Sequence, residues 1–379
     1  MKKKIIIMVA VAVGSLAAIA QPYPTTNNIV RLTDQNMPAV EYYTLEKIKL
    51  PDKYADAQYF VYNDSVLIII NNQRPQPYVV TFYNLNTKKE IAGFFLDGSW
   101  SDKMSKGGGT MYRNTLIVAD GFAHIMARFN VDSVLTEKFA YKPTVTQLPS
   151  LYSCIFVDEN TITMANSMYI SDEYGVEGLP EFIQFDAKTG KPLANYKQND
   201  KNYPANMTSR SIAYSNSKYI AFWSNYPIIT IYDKDFNLIK MYRDDKFEDN
   251  EVREEYSEYL MKSTFATKNI DNFFAFANQT DNYIFAFNGR GHISRDEFEK
   301  KGGIQWVETT DFTMARFKNL EIWCFDNDMN LVRRFKCKNK ICHIRCISYN
   351  EKSKKLFVNA MDENEKYYLY RCKFKKMSF

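Results

Sequence analysis

The stretch KCKNKICHIRC, residues 336–346, gathers three of the chain's six cysteines and one of its three histidines into eleven residues. Thiolates and an imidazole this close together could hold a zinc ion, attach a haem or form a disulfide. Each chemistry makes a geometric demand. Haem attachment needs C-x-x-C-H, and here the spacing from Cys337 to Cys342 is C-x4-C-H. A metal needs Cys342 and His343 to converge, whereas neighbours on a strand point to opposite faces. Cys342 and Cys346 on one extended strand stand about 13 Å apart at ~3.3 Å per residue, beyond disulfide reach. The stretch therefore reads as strand core, with thiols serving as small hydrophobes. Cys342, Ile344 and Cys346 are expected on one face and His343 and Arg345 on the other. No metal ligand and no cofactor is assigned.

The elements that must position any site come from a repeat. An aromatic residue is followed by Asn or Asp, a short polar turn, an aliphatic residue and another aromatic. It occurs as Phe82-Tyr83-Asn84, Arg128-Phe129-Asn130, Gln184-Phe185-Asp186, Ile231-Tyr232-Asp233 and Cys324-Phe325-Asp326. Each copy is expected to be a hairpin, because an Asn or Asp side chain bonds its own backbone and closes the turn. The intervals between Tyr83, Phe129, Phe185, Tyr232 and Phe325 are 46, 56, 47 and 93 residues. Before each copy lies a short apolar run: SVLIII (65–70), TLIVAD (115–120), TITMAN (161–166), YIAFWS (219–224) and NYIFAF (282–287). KLFVNA (355–360) is a sixth. Such runs suit strands buried on both faces.

Strand-rich units with a period in the forties predict an all-β fold, a six-bladed β-propeller. The sixth unit lacks an outer strand, and EYYTLEKIKL (41–50) is an alternating strand without a unit of its own. Residues 41–50 are therefore expected to close the ring, which also covers an exposed edge. The 93-residue interval leaves seven blades as the alternative. It also contains KFEDNEVREEYSEYLMKS, read as a helix with Val252, Tyr256 and Leu260 on one face.

The chain starts Met1-Lys-Lys-Lys, runs apolar from Ile5 to Leu16 and reaches Ala18-Ile19-Ala20. This pattern predicts a signal peptide cleaved after Ala20. The apolar run is shorter than the ~20 residues of a membrane span, and no cysteine stands near the cleavage point for a lipid anchor. The expected organisation is signal peptide 1–20, N-terminal tail 21–40 and a single propeller domain 41–379, exported to the periplasm or beyond as a monomer. Loss of residues 1–20 leaves 46 basic residues against 44 acidic ones, which argues against nucleic-acid or membrane partners. Signal peptide, period and hairpins such as RFNVDSVL and IYDKDFNLI resemble the exported TolB-like six-bladed propellers of Bacteroidales-type bacteria. The G-x-G-P-G-E-F stretch of such proteins departs here to LDGSWSDKMSKGGG (96–109). The resemblance implies a fold and an exported address.

Enzyme signatures are sparse. His124, His292 and His343 have no G-x-S-x-G elbow beside them. The hairpins lack the S-x-D-x-G-x-x-W box of sialidases. FDAKTGKPL (185–193) is followed by Ala194 where quinoprotein blades carry tryptophan, and DNDMN (326–330) lacks the glycine of a calcium loop. No catalytic residue is assigned. The long loops 96–109, 167–180, 197–208, 243–268 and 288–318 all fall on one rim, joining second to third strands or blade to blade. Long loops in a compact domain carry function. Trp100, Tyr203, Tyr226, Arg290, His292 and Trp306 on that rim are the candidate ligand-binding residues, for a glycan, a peptide or an envelope protein. A non-catalytic binding, sensing or scaffold role is the expectation. Asp172, Glu173, Glu177, Asp296 and Glu297 keep a polysaccharide hydrolase or lyase as the alternative.

Overall fold

The computed structural model describes residues 26–374 apart from 55, 72–77, 95–107, 121–123, 149–154, 159, 166–179, 198–209, 248–251, 258–261, 268, 308, 318, 340–342 and 363. Two strands come first, β1 (Ile29–Leu32) and β2 (Val40–Lys47). Antiparallel meanders follow. The first sheet is β3 (Gln58–Val61), β4 (Val66–Ile70), β5 (Val80–Asn84) and β6 (Lys89–Phe94). The second is β7 (Gly108–Tyr112), β8 (Thr115–Asp120), β9 (Ile125–Asn130) and β10 (Thr144–Gln147). The third is β11 (Ile155–Val157), β12 (Thr161–Ala165), β13 (Pro180–Asp186) and β14 (Pro192–Lys197). The fourth is β15 (Arg210–Ser215), β16 (Lys218–Trp223), β17 (Ile228–Tyr232) and β18 (Leu238–Asp244). A separate hairpin, β19 (Val252–Ser257) with β20 (Lys262–Thr267), precedes the fifth meander. That meander is β21 (Asn269–Gln279), β22 (Tyr283–Ser294), β23 (Glu321–Asp326) and β24 (Leu331–Cys337). The last has β25 (His343–Asn350), β26 (Lys355–Met361) and β27 (Tyr367–Phe374).

All six apolar runs of the sequence are second strands of these sheets. β4 shows the reason: Leu67, Ile68, Ile69 and Ile70 are all fully buried, with neighbours on both faces. Ile68 and Ile70 share a cluster with Leu116 and Phe129 of the second sheet. Ile69 shares another with Tyr59 and Tyr83 of its own sheet and with Phe357 and Leu369 of the last. Burial of each such side chain contributes roughly 1.5–3 kcal/mol.

The hairpins close as their sequence implies. Asn84, Asp186, Asp233 and Asp326 each accept backbone N–H groups two to four residues on. Gly190, at φ +68°, completes the Asp186 turn, and a Cβ there would lie 2.1 Å from the Gln147 carbonyl oxygen. The Asn130 copy differs. Its side chain caps helix α1 (Val131–Glu137), accepting from the Ser133 N–H at 3.0 Å, and the outer strand is Thr144–Gln147. Asn serves a helix N-cap and a turn equally well, and Val131-Asp132-Ser133-Val134 lets the helix propagate.

A second expectation is corrected at 243–268. Residues 252–257 pair antiparallel with 262–267, from Val252 opposite Thr267 to Ser257 opposite Lys262. The run Ser263-Thr-Phe-Ala-Thr supplies a β-prone partner, and strand pairing outweighs the helix propensity of the glutamates. Helices occur instead between β22 and β23, as α2 (Arg295–Lys300), α3 (Ile304–Val307) and α4 (Thr310–Phe317).

The N-terminal segment staples the outside. β1 pairs parallel with β18, Ile29 opposite Met241 and Leu32 opposite Asp244. β2 pairs parallel with β24 through Val40–Tyr43 and antiparallel with β27 through Tyr43–Lys47. It is the fourth strand of the last sheet. Tyr43 is 1% exposed and packs with Phe335, Phe374 and Cys372, while Tyr42 is 49% exposed. Tyr43→Ala is therefore expected to destabilise the protein by about 3–5 kcal/mol, and Tyr42→Ala by about 0.5 kcal/mol. Equilibrium denaturation would read the contrast, and equal effects would contradict the placement of β2.

Candidate functional site

KCKNKICHIRC ends as core, with one change from the expected faces. β25 carries a bulge between Ile344 and Cys346, which pair with the adjacent residues Ala360 and Asn359. The extra residue, Arg345, resets the alternation. Ile344 and Ile347 fall in the cluster with Tyr43 and Phe335, whereas Cys346 joins Phe60 and Met111 on the other side. The Cys346 thiol donates to the Tyr59 carbonyl at 2.9 Å. Burial pushes its pKa up to about 12, and that of Cys337 to about 11. His343 and Arg345 meet on Tyr367: His343 Nδ1 lies 2.6 Å from the Tyr367 hydroxyl, and the guanidinium stands 3.5 Å from the ring centroid. Cys342 and Cys154 lie outside the described residues. Among the described residues no group of three His, Cys, Asp or Glu side chains could hold a metal.

The six residues singled out on the long-loop rim do not form one surface among the described residues. Tyr226 is fully buried against Trp223, Ile228 and Met241. Trp306 is 4% exposed in a small core with Ile293, Phe298 and Phe312, and its indole N–H donates to Asp311 at 3.0 Å. Tyr226 packs on strands β16, β17 and β18, and Trp306 closes a cluster formed largely by its own insertion. Arg290 and His292 stand on β22, where the backbone alone is described. Trp100 and Tyr203 lie outside the described residues, as do Asp172, Glu173 and Glu177. Asp296 and Glu297 occupy the first turn of α2, where acids offset the helix dipole.

A polar cavity of about 540 Å³ lies at the opposite end of the sheets, where the turns are short. The ends of β3, β7, β21 and β25, first strands of four different meanders, converge on it. Tyr62, Asn63, Arg113, Asn114, Asn278, Gln279, Thr280, Asp281, Ser348, Tyr349, Asn350, Glu351 and Lys352 line it, with Asp132 from the start of α1. β21 reaches across to β7: Gln279 pairs with Tyr112, the Arg113 N–H donates to the Gln279 carbonyl at 2.9 Å, and Tyr112 stacks on Phe276 at 4.9 Å between centroids.

Short polar turns fix the lining. The Tyr62 hydroxyl donates to Asp132 at 2.6 Å and Asn114 donates to the other oxygen at 3.1 Å. Burial and that bond raise the Tyr62 pKa, so the phenol stays a donor. Asn278 donates to the Ile347 carbonyl at 2.9 Å, and Gln279 to the Tyr214 carbonyl at 2.8 Å. Gln279 is 3% exposed, and its Oε1 accepts no hydrogen bond within the protein. Partial burial works to raise the Glu351 pKa. Hydrogen bonds from the Thr280 hydroxyl, from Asn282 and from the Asp281 N–H outweigh it, so the net shift is downward. A general acid at neutral pH needs the opposite shift. Among the described residues the Arg113 and Lys352 side chains make no ion pair or hydrogen bond. The arrangement offers fixed donors and acceptors around an open-mouthed volume, in the ~300–1,000 Å³ range of small-molecule sites.

Sequence reasoning missed these residues because it ranked loops by length. One signal was present: Asn278-Gln279 puts two amides at the end of the apolar run FFAFA, where further apolar residues would be expected.

No known protein family's sequence profile matches the chain, and no curated protein matches it. Solved structures do. A member of the DUF4221 family from Bacteroides vulgatus is 11% identical with a TM-score of 0.50, over 89% of this chain and 99% of that one. A candidate exported protein from Bacteroides fragilis is 9% identical, TM-score 0.44, over 92% and 100%. The WD40 domain of Neurospora crassa Pan2 is 10% identical, TM-score 0.43, over 90% and 96%. At these identities the likeness concerns fold alone. No helix among the described residues is long and apolar enough to cross a membrane.

Two outcomes are expected from this geometry. Cys346 in the native protein resists alkylation at pH 8 and reacts once the protein is unfolded, as peptide mass spectrometry would show; rapid native labelling would contradict its burial. Glu351→Gln costs about 1 kcal/mol at pH 7, discounted for partial exposure. The folded pKa of Glu351 lies below its ordinary 4.5. The carboxylate's contribution is thus present above that value and lost as pH falls through the folded one. The gap between variant and parent therefore closes in acid, and a gap that widens in acid would refute the assignment.

Proposed function

We propose that this chain is an exported β-propeller of six blades that binds a polar ligand without transforming it. The observation that carries the reading is the open-mouthed polar cavity where four meanders converge, with donors and acceptors held in place by internal hydrogen bonds. Six blades are supported by the pairing of β2 with β27 and by the cluster joining the first and last sheets. Both support closure of the ring by residues 41–50. A TolB-like arrangement accords with the blade period. Export rests on the pattern of residues 1–20, with cleavage after Ala20. The near balance of charge argues against nucleic acid; the proposed state is a monomer and the proposed partner a glycan, a peptide or an envelope protein.

Binding is favoured over hydrolysis by the state of Glu351. Its carboxylate is committed to neighbouring donors and shifted toward the ionised form, which suits an acceptor and not a proton donor. Trp100, Tyr203, Arg290 and His292 on the long-loop end are proposed as a second contact surface for a larger partner.

The test is a thermal-shift screen of residues 21–379 against saccharides, peptides and envelope extract, with mass analysis of each ligand afterwards. A ligand at a hundred times its Kd adds about 2.7 kcal/mol of stability. The expected result is a raised Tm with an unchanged ligand. Cleaved or unsaturated sugar products would overturn the non-catalytic reading.

A further inference from the structure

We infer that the first strands of the meanders meet in a hydrogen-bonded seal that closes the centre of the molecule, so that the polar cavity is blind and is entered only from the end where the turns are short. A first strand pairs with its second strand along one edge. In an antiparallel ladder, alternate residues turn both backbone groups toward the partner or both away from it. Each first strand therefore keeps a row of N–H and C=O groups along its other edge. Such groups need water or a protein partner. Around an open channel that partner is water. Here it is a side chain from another meander.

The bonds run from strand to strand. Gln58 of β3 donates to the Gly109 carbonyl of β7 and accepts from the Gly109 N–H, both at 2.8 Å. The Val61 N–H of β3 donates to the Ser348 hydroxyl of β25 at 2.9 Å. Asn278 of β21 donates to the Ile347 carbonyl of β25 at 2.9 Å. Gln279 donates to the Tyr214 carbonyl of β15 at 2.8 Å, and Ser211 of β15 accepts from the Phe276 N–H. The Tyr112 hydroxyl of β7 donates to the Ile212 carbonyl of β15 at 3.0 Å, while its ring stacks on Phe276. In this way β3, β7, β15, β21 and β25 are tied to one another.

The residue types support a seal over a wet channel. Gln58, Ser211, Asn278, Gln279 and Ser348 are between 3% and 6% exposed. A polar side chain buried that deeply is costly unless it is bonded, and each of these is bonded to a backbone group of another meander. The stacked rings of Tyr112 and Phe276 fill space between the bonds with apolar surface. Asn278, Gln279 and Ser348 take part in these bonds and also line the cavity, so the seal stands at its inner end. A ligand must enter and leave by one mouth. A polymer cannot be threaded through the centre, and only a small molecule or the end of a chain reaches the inner wall. That limit on the ligand rests on the binding reading above; the seal does not.

Hydrogen exchange of residues 21–379, read amide by amide, tests the seal whether or not the thermal-shift screen finds a ligand. The Val61, Gly109 and Phe276 amides are expected to exchange as slowly as the strand-paired amides of β4 and β16. Ser348→Ala should speed the Val61 amide about tenfold and leave Phe276 unchanged, and Ser211→Ala should do the reverse, because each removes one bond from a locally opening edge. Slow exchange retained in β4 and β16 would show that both variants are folded. Parent amides at Val61, Gly109 and Phe276 that exchange as fast as those of exposed turns would overturn the seal, and so would variants that leave both rates unchanged. Either result would leave the binding reading to its own test.

Discussion

The last sheet contributes only three strands from the C-terminal part of the chain, and a three-stranded sheet leaves an edge of unpaired backbone groups. β2 fills that edge from more than three hundred residues away in sequence. The rest of the architecture depends on this pairing. β2 is shared between β24 and β27, so it fixes the last sheet against the fifth. Side-chain pairs reinforce the register: Arg333 with Glu41, and Arg371 with Glu46. Just upstream, Arg334 sits in a buried pair with Glu321, its Nε 2.9 Å from the carboxylate, and the Trp323 indole donates to the same oxygen. Another guanidinium nitrogen reaches the Pro38 carbonyl. A buried ion pair is weak evidence for net stability, because desolvation offsets the attraction. Its geometric effect is clear: a planar fork that touches both β23 and residue 38 tolerates one placement of the N-terminal segment.

That placement reaches the cavity. β27 is held by β2, β26 by β27, and β25 by β26. The end of β25 carries Ser348, Tyr349 and Asn350 to the cavity wall, with Glu351 in the turn beyond. The bulge at Arg345 is part of the same chain of causes. It turns Cys346 toward the first sheet while Ile344 and Ile347 stay with the fifth. Without the bulge, Ile344 and Cys346 would lie on the same face of the strand.

Much of the fold was legible because it is local. Second strands are apolar runs flanked by turn residues, and Asn84, Asp186, Asp233 and Asp326 announce their hairpins by chemistry that acts within four residues. The pairing of β2 with β27 was legible by subtraction, as a strand in excess at one end and a strand missing at the other. Where two local readings compete, sequence alone does not decide. Asn130 can begin a turn or cap a helix, and residues 252–267 can form a helix or a hairpin. In both cases the partner strand, β9 with β10 or β19 with β20, decides the outcome. The cavity was not legible, because Asn63, Arg113, Gln279 and Glu351 come from four meanders and meet only when all are assembled.

Loop length also proved a poor guide to where a small ligand could be held. Long loops let their aromatic residues turn inward and bury one another, as Trp306 does with Phe298 and Phe312. Short turns lack that freedom. Asn63 accepts from the N–H groups of Ser65 and Val66, and Asn350 from those of Lys352 and Ser353, so these turns are locked by bonds of two or three residues' reach. A wall built from such turns is ordered before any ligand arrives. Binding to it then costs little conformational entropy, and more of the contact energy is available as affinity. The Glu351 carboxylate accepts hydrogen bonds from Thr280, Asn282 and Asp281, which favour its ionised form. An acceptor that holds its charge and its position is suited to recognition, and the convergence of four first strands supplies it with neighbours of complementary kind.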